Sequence, residues 1–248
     1  MVELECIDVL GGGPAGLYAA YLLKRERPTT RVRVLEQNPR GATFGFGVVF
    51  SDQALDFLKA DDPKTHALIT PYMERWRNMT LAHKGQDVVI DGVGFAAIGR
   101  LKLIELLCSQ AEATGVEVHF DYHVEALNTL DADLIVGADG LNSLVRQTEE
   151  EAFDTETSYF ENHFAWFGAQ RPFDTLTQTF IETPKGAMNA HHYRYQPDMS
   201  TFIVECDRQT FDAYGFADMS ETETARTCED VFAEILDGAS LVINKSTW

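Results

Sequence analysis

Apolar and polar positions change period in blocks along this chain, and the blocks predict an order of elements. Ile7, Val9 and Leu10 form an apolar run that opens into Gly11-Gly12-Gly13-Pro14-Ala15-Gly16. A helical segment follows through Lys24, and Arg31-Val32-Arg33-Val34-Leu35 reads as a second strand ending on Glu36. Strand, glycine turn, helix and strand in that order make the βαβ unit that holds a dinucleotide. Ser51-Asp52 signals a helix start, with Ala54, Leu55 and Leu58 as its buried stripe. Residues 63–98 read as a short β excursion, with Trp76, Met79 and Leu81 alternating with polar residues and Val88-Val89-Ile90 after a Gly85 turn. Apolar positions 103, 104, 107, 108 and 111 predict a helix over 100–114 closed by Gly115, then strands over 116–120 and 122–127.

A further apolar strand, Ala132 to Val136, runs into Gly137-Ala138-Asp139-Gly140 and a short helix bearing Ser143 and Arg146. From about residue 158 the texture changes to strand-like runs over 164–169, 176–183, 187–195 and 201–206, separated by Pro184-Lys185-Gly186 and Gln196-Pro197-Asp198 turns. That pattern predicts an antiparallel sheet. Ser220 to Glu223 is a capping box leading one helix with Ala225, Cys228, Val231, Phe232, Ile235 and Leu236 on one side, and 241–248 closes as an apolar strand. The fold class is α/β: a Rossmann-like dinucleotide-binding domain over 1–70 and 98–157, and an antiparallel β-sheet domain over 71–97 and 158–248.

The glycine turn carries the first chemistry. Gly11 lets the chain turn out of the strand, Gly13 lets backbone approach a pyrophosphate, and Gly16 lets the helix lie against the sheet. The helix N-terminus offers free N–H groups to phosphate. Glu36, twenty residues after Gly16, suits ribose hydroxyls and disfavours a 2′-phosphate, so the dinucleotide is FAD or NAD rather than NADP. In Thr43 to Phe50 three glycines alternate with three phenylalanines, as suits backbone passing close to something flat and apolar; a glycine-rich surface loop is the alternative. Asp139 follows the carboxyl end of a parallel strand, where open α/β sheets bind ligands; a tight turn closed by the Asp side chain is the competing reading.

Composition narrows the field. The net charge of −19, from 39 acids against 20 bases, disfavours nucleic acid and anionic membrane as partners. Cys6, Cys108, Cys206 and Cys228 form no C-x-x-C pair, which points to reduced thiols in a cytoplasmic protein without a metal site or disulfide framework. Neither a signal peptide nor a membrane span is evident.

Gly-x-Gly-x-x-Gly, Glu36, Arg100 and Gly-Ala-Asp-Gly-x-x-Ser-x-x-Arg together resemble the FAD-dependent aromatic hydroxylases of the p-hydroxybenzoate hydroxylase type. Thr43 to Asp52, Ile98-Gly99-Arg100, Ser200 to Glu205 and Asn244-Lys245-Ser246 are similar to the branch acting on aryl-CoA thioesters. The resemblance implies an oxidoreductase that uses NAD(P)H and O₂ to hydroxylate an activated aromatic ring through a flavin C4a-hydroperoxide, with NAD(P)H docking transiently. It implies that Gly11, Gly13, Gly16 and Glu36 hold the ADP half of FAD, that Arg100 and Asp139 approach the pyrophosphate and ribityl region, and that the loop Gly45 to Val49, with Gly47 and Val48, approaches the isoalloxazine. It also makes the β-sheet domain over 71–97 and 158–248 the substrate domain. Gly12, Pro14, Ala15, Gln37 and Gly140 complete the cofactor-binding candidates. No Ser-His-Asp triad is visible and no catalytic residue is nominated; His191, Phe180 and Tyr193 are the substrate-side candidates. His191 and His192 point to opposite faces of one strand, so at most one faces such a cavity. The family's third flavin motif, a Gly-Asp-Ala-Ala-His type segment, has no match before Trp248. A chain truncated before that motif is therefore the expectation, with a non-catalytic nucleotide-binding fragment or an NAD-dependent oxidoreductase as the alternatives.

Overall fold

The computed structural model describes residues 4–244. In chain order the elements are β1 Cys6–Leu10, α1 Pro14–Glu26, β2 Arg31–Leu35, β3 Gly47–Ser51, α2 Asp52–Asp61, α3 Pro63–Ile69, β4 Glu74–Trp76, β5 Met79–His83, β6 Gln86–Ile90 and β7 Phe95–Gly99. There follow α4 Arg100–Thr114, β8 Glu117–His119, β9 Leu134–Gly137, α5 Leu144–Thr148, α6 Glu150–Phe153 and β10 His163–Ala169. The last are β11 Leu176–Thr183, β12 Gly186–Gln196, β13 Met199–Cys206, α7 Arg208–Tyr214, α8 Glu221–Val231, α9 Ala233–Leu236 and β14 Leu241–Val242.

The chain forms two compact units, one of residues 1–42 and 101–158 and one of 43–100 and 159–248. Residues 43–70, placed by sequence with the nucleotide-binding part, fall in the second unit. In the first unit four parallel strands run in the order β8-β2-β1-β9. Ile7, Val9, Val32 and Val34 are fully buried, as strands covered on both faces require. Asp8 is fully buried too, and Arg33, opposite it on β2, donates to both its carboxylate oxygens at 2.6 Å. The predicted strand over 122–127 is absent: those residues are irregular and end in a 3₁₀ turn at Leu127–Thr129, after Asp121 takes φ +54°.

In the second unit a seven-stranded sheet runs β14-β10-β13-β12-β11-β5-β6, beside a three-stranded sheet β3-β7-β4. One face of the larger sheet is closed by helices: Phe167, Met188, Ala190, Phe202 and Val204 share a core with Phe211, Cys228, Phe232 and Leu236. The capping box forms as its sequence predicts, with the Ser220 hydroxyl accepting from Glu223 N and the Glu223 carboxylate accepting from Ser220 N at 2.9 Å. The helix it starts is interrupted at Phe232 and resumes as α9, so the single predicted helix is two. In α2 only Leu55 of the expected stripe is buried; Ala54 is exposed and Leu58 half-buried. The closing strand is seen as Leu241–Val242, and its continuation over 245–248, with Lys245 and Ser246, lies outside the described residues.

Candidate functional site

In the first unit the chain leaves β1 through Gly11 at φ +101°, where an added Cβ would stand 2.3 Å from the Ala138 carbonyl oxygen. At Gly16 a Cβ would meet the Gly11 carbonyl oxygen at 2.0 Å, so the third glycine admits the helix to the turn itself. Gly13 differs: its φ is −72° and nothing stands within 4 Å of where a Cβ would be. Nothing among the described residues demands glycine there, and the space in front of its backbone is open. α1 begins on Gly13 with no side-chain cap, Pro14 in its first turn and no acid in that turn, which leaves N–H groups and the positive end of the helix dipole for an anion. Glu36 accepts from Gly12 N at 2.6 Å and from Asn38 N and Nδ2 at 2.7 and 2.6 Å. Three of a carboxylate's roughly four acceptor positions are thereby used, which leaves one for a ribose hydroxyl. Gln37 follows it immediately and Ala15 sits in the first turn of α1.

The second motif closes on itself. Asp139 accepts from the Ser143 hydroxyl and from Leu144 N, both at 2.6 Å, and the Ser143 oxygen accepts from Arg146 N at 3.1 Å as the N-cap of α5. Arg146 donates to the Leu141 carbonyl. Every polar residue of the motif thus has a local partner, as the tight-turn reading holds, and Gly140 at φ +82° makes the bend.

In the second unit, Gly45, Phe46 and Gly47 lie on something flat and apolar, and it is protein. A Cβ on Gly45, at φ +79°, would fall 2.6 Å from the Trp166 ring, one on Gly47 2.6 Å from Tyr195 Cβ, and one on Gly168 2.6 Å from the Phe46 ring. Gly47 N donates to Thr201 Oγ1 at 2.9 Å, and the Gly47 carbonyl accepts from the Tyr193 hydroxyl at 3.0 Å. Tyr193 is therefore a buried strut beside Trp76 and Tyr195, and burial pushes its hydroxyl up to about 12. Val48 pairs with Ile98 in the small sheet. Arg100 opens α4, and its Nε is buried without a hydrogen-bond partner among the described residues, the kind of group an anionic ligand would satisfy.

On β12 the two histidines do part. His192 is buried among Phe173 and Phe202, with Nε2 3.1 Å from Thr179 Oγ1, and burial lowers its pKa to about 3. His191 is half-buried on the face away from the helices, and burial lowers its pKa against the opposing pull of Glu205. Phe180 is 39% exposed and lines a cavity of about 720 Å³ with His83, Glu182 and Ile235, removed from Tyr193 along the sheet. Sequence reasoning missed Trp166 as the platform under Gly45, a contact of loop against sheet, and Glu205 as the charge beside His191, which follows from strand register. Among the described residues no group of three or more His, Cys, Asp or Glu could hold a metal ion, and no helix is long and apolar enough to cross a membrane.

A family model described as an NAD(P)-binding Rossmann-like domain matches residues 9–53. The chain is 38% identical to salicyloyl-CoA 5-hydroxylase of a Streptomyces species over all of its own length and 49% of that protein's. It is 31% identical to 3-hydroxy-4-methyl-anthranilyl-[aryl-carrier protein] 5-monooxygenase of Streptosporangium sibiricum, over 98% of this chain and 65% of that one. The chain thus spans about half to two thirds of the length of the curated relatives it matches. Among solved structures it superposes on 2-methyl-3-hydroxypyridine-5-carboxylic acid oxygenase with a TM-score of 0.74 at 18% identity, covering 97% of this chain and 70% of that one. It superposes on PqsL, a probable FAD-dependent monooxygenase of Pseudomonas aeruginosa, with a TM-score of 0.64 at 18% identity, covering 96% and 72%. By sequence the chain is similar along its whole length to aromatic hydroxylases and monooxygenases, and its Rossmann-type parallel sheet with antiparallel sheets is the fold of the flavin-dependent hydroxylases.

Proposed function

We propose that this chain holds FAD and contributes the substrate-facing sheet of an NAD(P)H-dependent monooxygenase that hydroxylates an aromatic ring carried on a thioester. The observation that carries the reading is the 38% identity along the entire chain to a hydroxylase of an aryl-CoA. The second relative's name also describes an aryl group on a carrier. When bound, FAD supplies the redox chemistry, accepting electrons from NAD(P)H and activating O₂.

The residues fit such a group. The open N-terminus of α1 and the clear space at Gly13 take the pyrophosphate, with Gly12, Pro14 and Ala15 shaping the approach. Glu36 keeps one acceptor position for the adenosine ribose, beside Gln37. The orphaned Arg100 Nε gains an anionic partner. Asp139 and Gly140 hold the bend from which α5 starts, so their part is to shape the turn. Gly47 and Val48 hold the loop on Trp166 and Tyr195, a rigid backbone against which a planar ring can lie. His191, uncharged at neutral pH because burial opposes protonation, orients the substrate by hydrogen bonding and adds no charge. The unpaired thiols of Cys6, Cys108, Cys206 and Cys228 suit a reducing cytoplasm.

The purified protein tests the reading directly. Flavin absorbance near ~450 nm after FAD addition is the expected result. A protein that takes up no flavin, or NADH oxidation that no aryl-CoA thioester stimulates, refutes it.

A further inference from the structure

The side chains on the face of the seven-stranded sheet opposite the helices are set by strand register. Strand register sets Leu81, Gln178, His191, Ile203 and Trp166 in one row across five strands. The next row is His83, Phe180, Asn189, Glu205 and Phe164. On the central strands these side chains point away from the helices, because Thr179, Ala190, Val204 and Ala165 between them point toward the core or bond within it.

Neither row contains a lysine or arginine. The cations on these strands' connections are engaged elsewhere: Lys84 is paired with Glu182 at 2.8 Å, Lys185 lies over the Tyr214 ring and Arg171 pairs with Asp237 at 3.0 Å, while His83 at the end of the second row lies 3.5 Å from the Glu182 carboxylate. His191, diagonal to Glu205, is disfavoured from carrying charge by its burial. Among the described residues of these two rows, Glu205 is the acidic side chain without a cationic partner, and it is half-buried. Its Oε1 accepts from Asn162 Nδ2 at 2.8 Å, and Oε2 has no hydrogen-bond partner among the described residues. A ring laid over Ile203 would cover that oxygen, and a covered carboxylate oxygen requires a donor.

We propose that Glu205 sets the substrate class on this face: its Oε2 accepts a hydrogen bond from a ring amino or hydroxyl group, and its charge excludes a ring bearing a free carboxylate, so the acid must arrive as a neutral acyl derivative. The inference rests on the proposed function only in that an aromatic ring binds this sheet. A second carboxylate within about 6 Å of Glu205, with no cation to share it, weakens binding at least tenfold at the dielectric of a protein surface. A thioester or amide carries no such charge.

The test is calorimetric binding of 2-aminobenzamide and 2-aminobenzoate, which share the ring and amino group and differ in charge, to the FAD-loaded protein and to Glu205→Gln. The expected result is a preference for the amide of tenfold or more that falls below threefold in Glu205→Gln, chiefly by tighter binding of the acid, with an unchanged far-UV spectrum. Equal binding of both probes by the unmodified protein, a preference that survives Glu205→Gln, or binding of neither probe overturns the proposal. Should the protein take up no FAD, the proposed function fails while the amide-to-acid ratio, measured without cofactor, still decides the role of Glu205.

Discussion

Gly11→Ala and Gly13→Ala, two residues apart in one motif, are expected to fail in opposite ways. At Gly11 an alanine must adopt φ +101° with its Cβ 2.3 Å from a backbone carbonyl oxygen. Left-handed strain and overpacking against an atom that cannot swing away together cost roughly 2–5 kcal/mol. At about 2–4 °C per kcal/mol for a chain of this size, the melting temperature falls by roughly 4–20 °C. At Gly13, φ is −72° and the Cβ enters open space. Alanine restricts the unfolded chain, which stabilises, and is a poorer N-cap than glycine, which destabilises, so the net change is within about 0.5 kcal/mol. The same methyl group would occupy the space proposed for the pyrophosphate and is expected to weaken FAD binding by about tenfold or more, ~1.4 kcal/mol. Circular dichroism melts read the first effect, and titration of flavin fluorescence at a temperature where both variants are folded reads the second. A Gly13→Ala protein that melts with Gly11→Ala, or that binds FAD as tightly as the unmodified chain, refutes the assignment of the open space to a phosphate group.

Other perturbations have equally definite outcomes. His192 has a folded pKa of about 3 against an ordinary value of 6.5, so its contribution to stability is complete above pH ~6.5 and is lost as the pH falls toward 3. Between pH 7 and 5 that loss is about 2 kcal/mol, and urea midpoints of His192→Gln should lack this share of the acid destabilisation. Arg33→Met leaves the fully buried Asp8 without its partner and is expected to cost about 3–5 kcal/mol in urea unfolding, most of it recovered in the Asp8→Asn, Arg33→Met double variant. Gly45→Ala, with its Cβ 2.6 Å from the Trp166 ring at φ +79°, should lower the melting temperature, and Trp166→Leu in the same chain should restore part of it. Ser220→Ala removes the capping box of α8 and should cost about 1 kcal/mol.

Features whose physics is local were legible in the chain's residue order. The glycine turn before α1, the helix over 100–114 and its stop at Gly115, the hairpin turns between β11, β12 and β13, and the Ser220 capping box each depend on residues within a few positions of one another, so spacing and residue type suffice. Prediction failed where neighbours compete: 122–127 has strand-like residues and no strand to pair with, and the helix after Ser220 breaks at Phe232, whose side chain is fully buried in the core. Only the tertiary structure decided what each motif touches. Thr43 to Phe50 announced a flat apolar neighbour, and packing between residues more than a hundred positions apart made that neighbour Trp166. Likewise, alternation showed that His191 and His192 diverge, but which one joined the core and which stood beside Glu205 depended on where the helices α7 to α9 packed. The glycine turn was legible because backbone geometry is written in consecutive residues. The charge pattern of the sheet face was not, because it is assembled from five strands far apart in the chain.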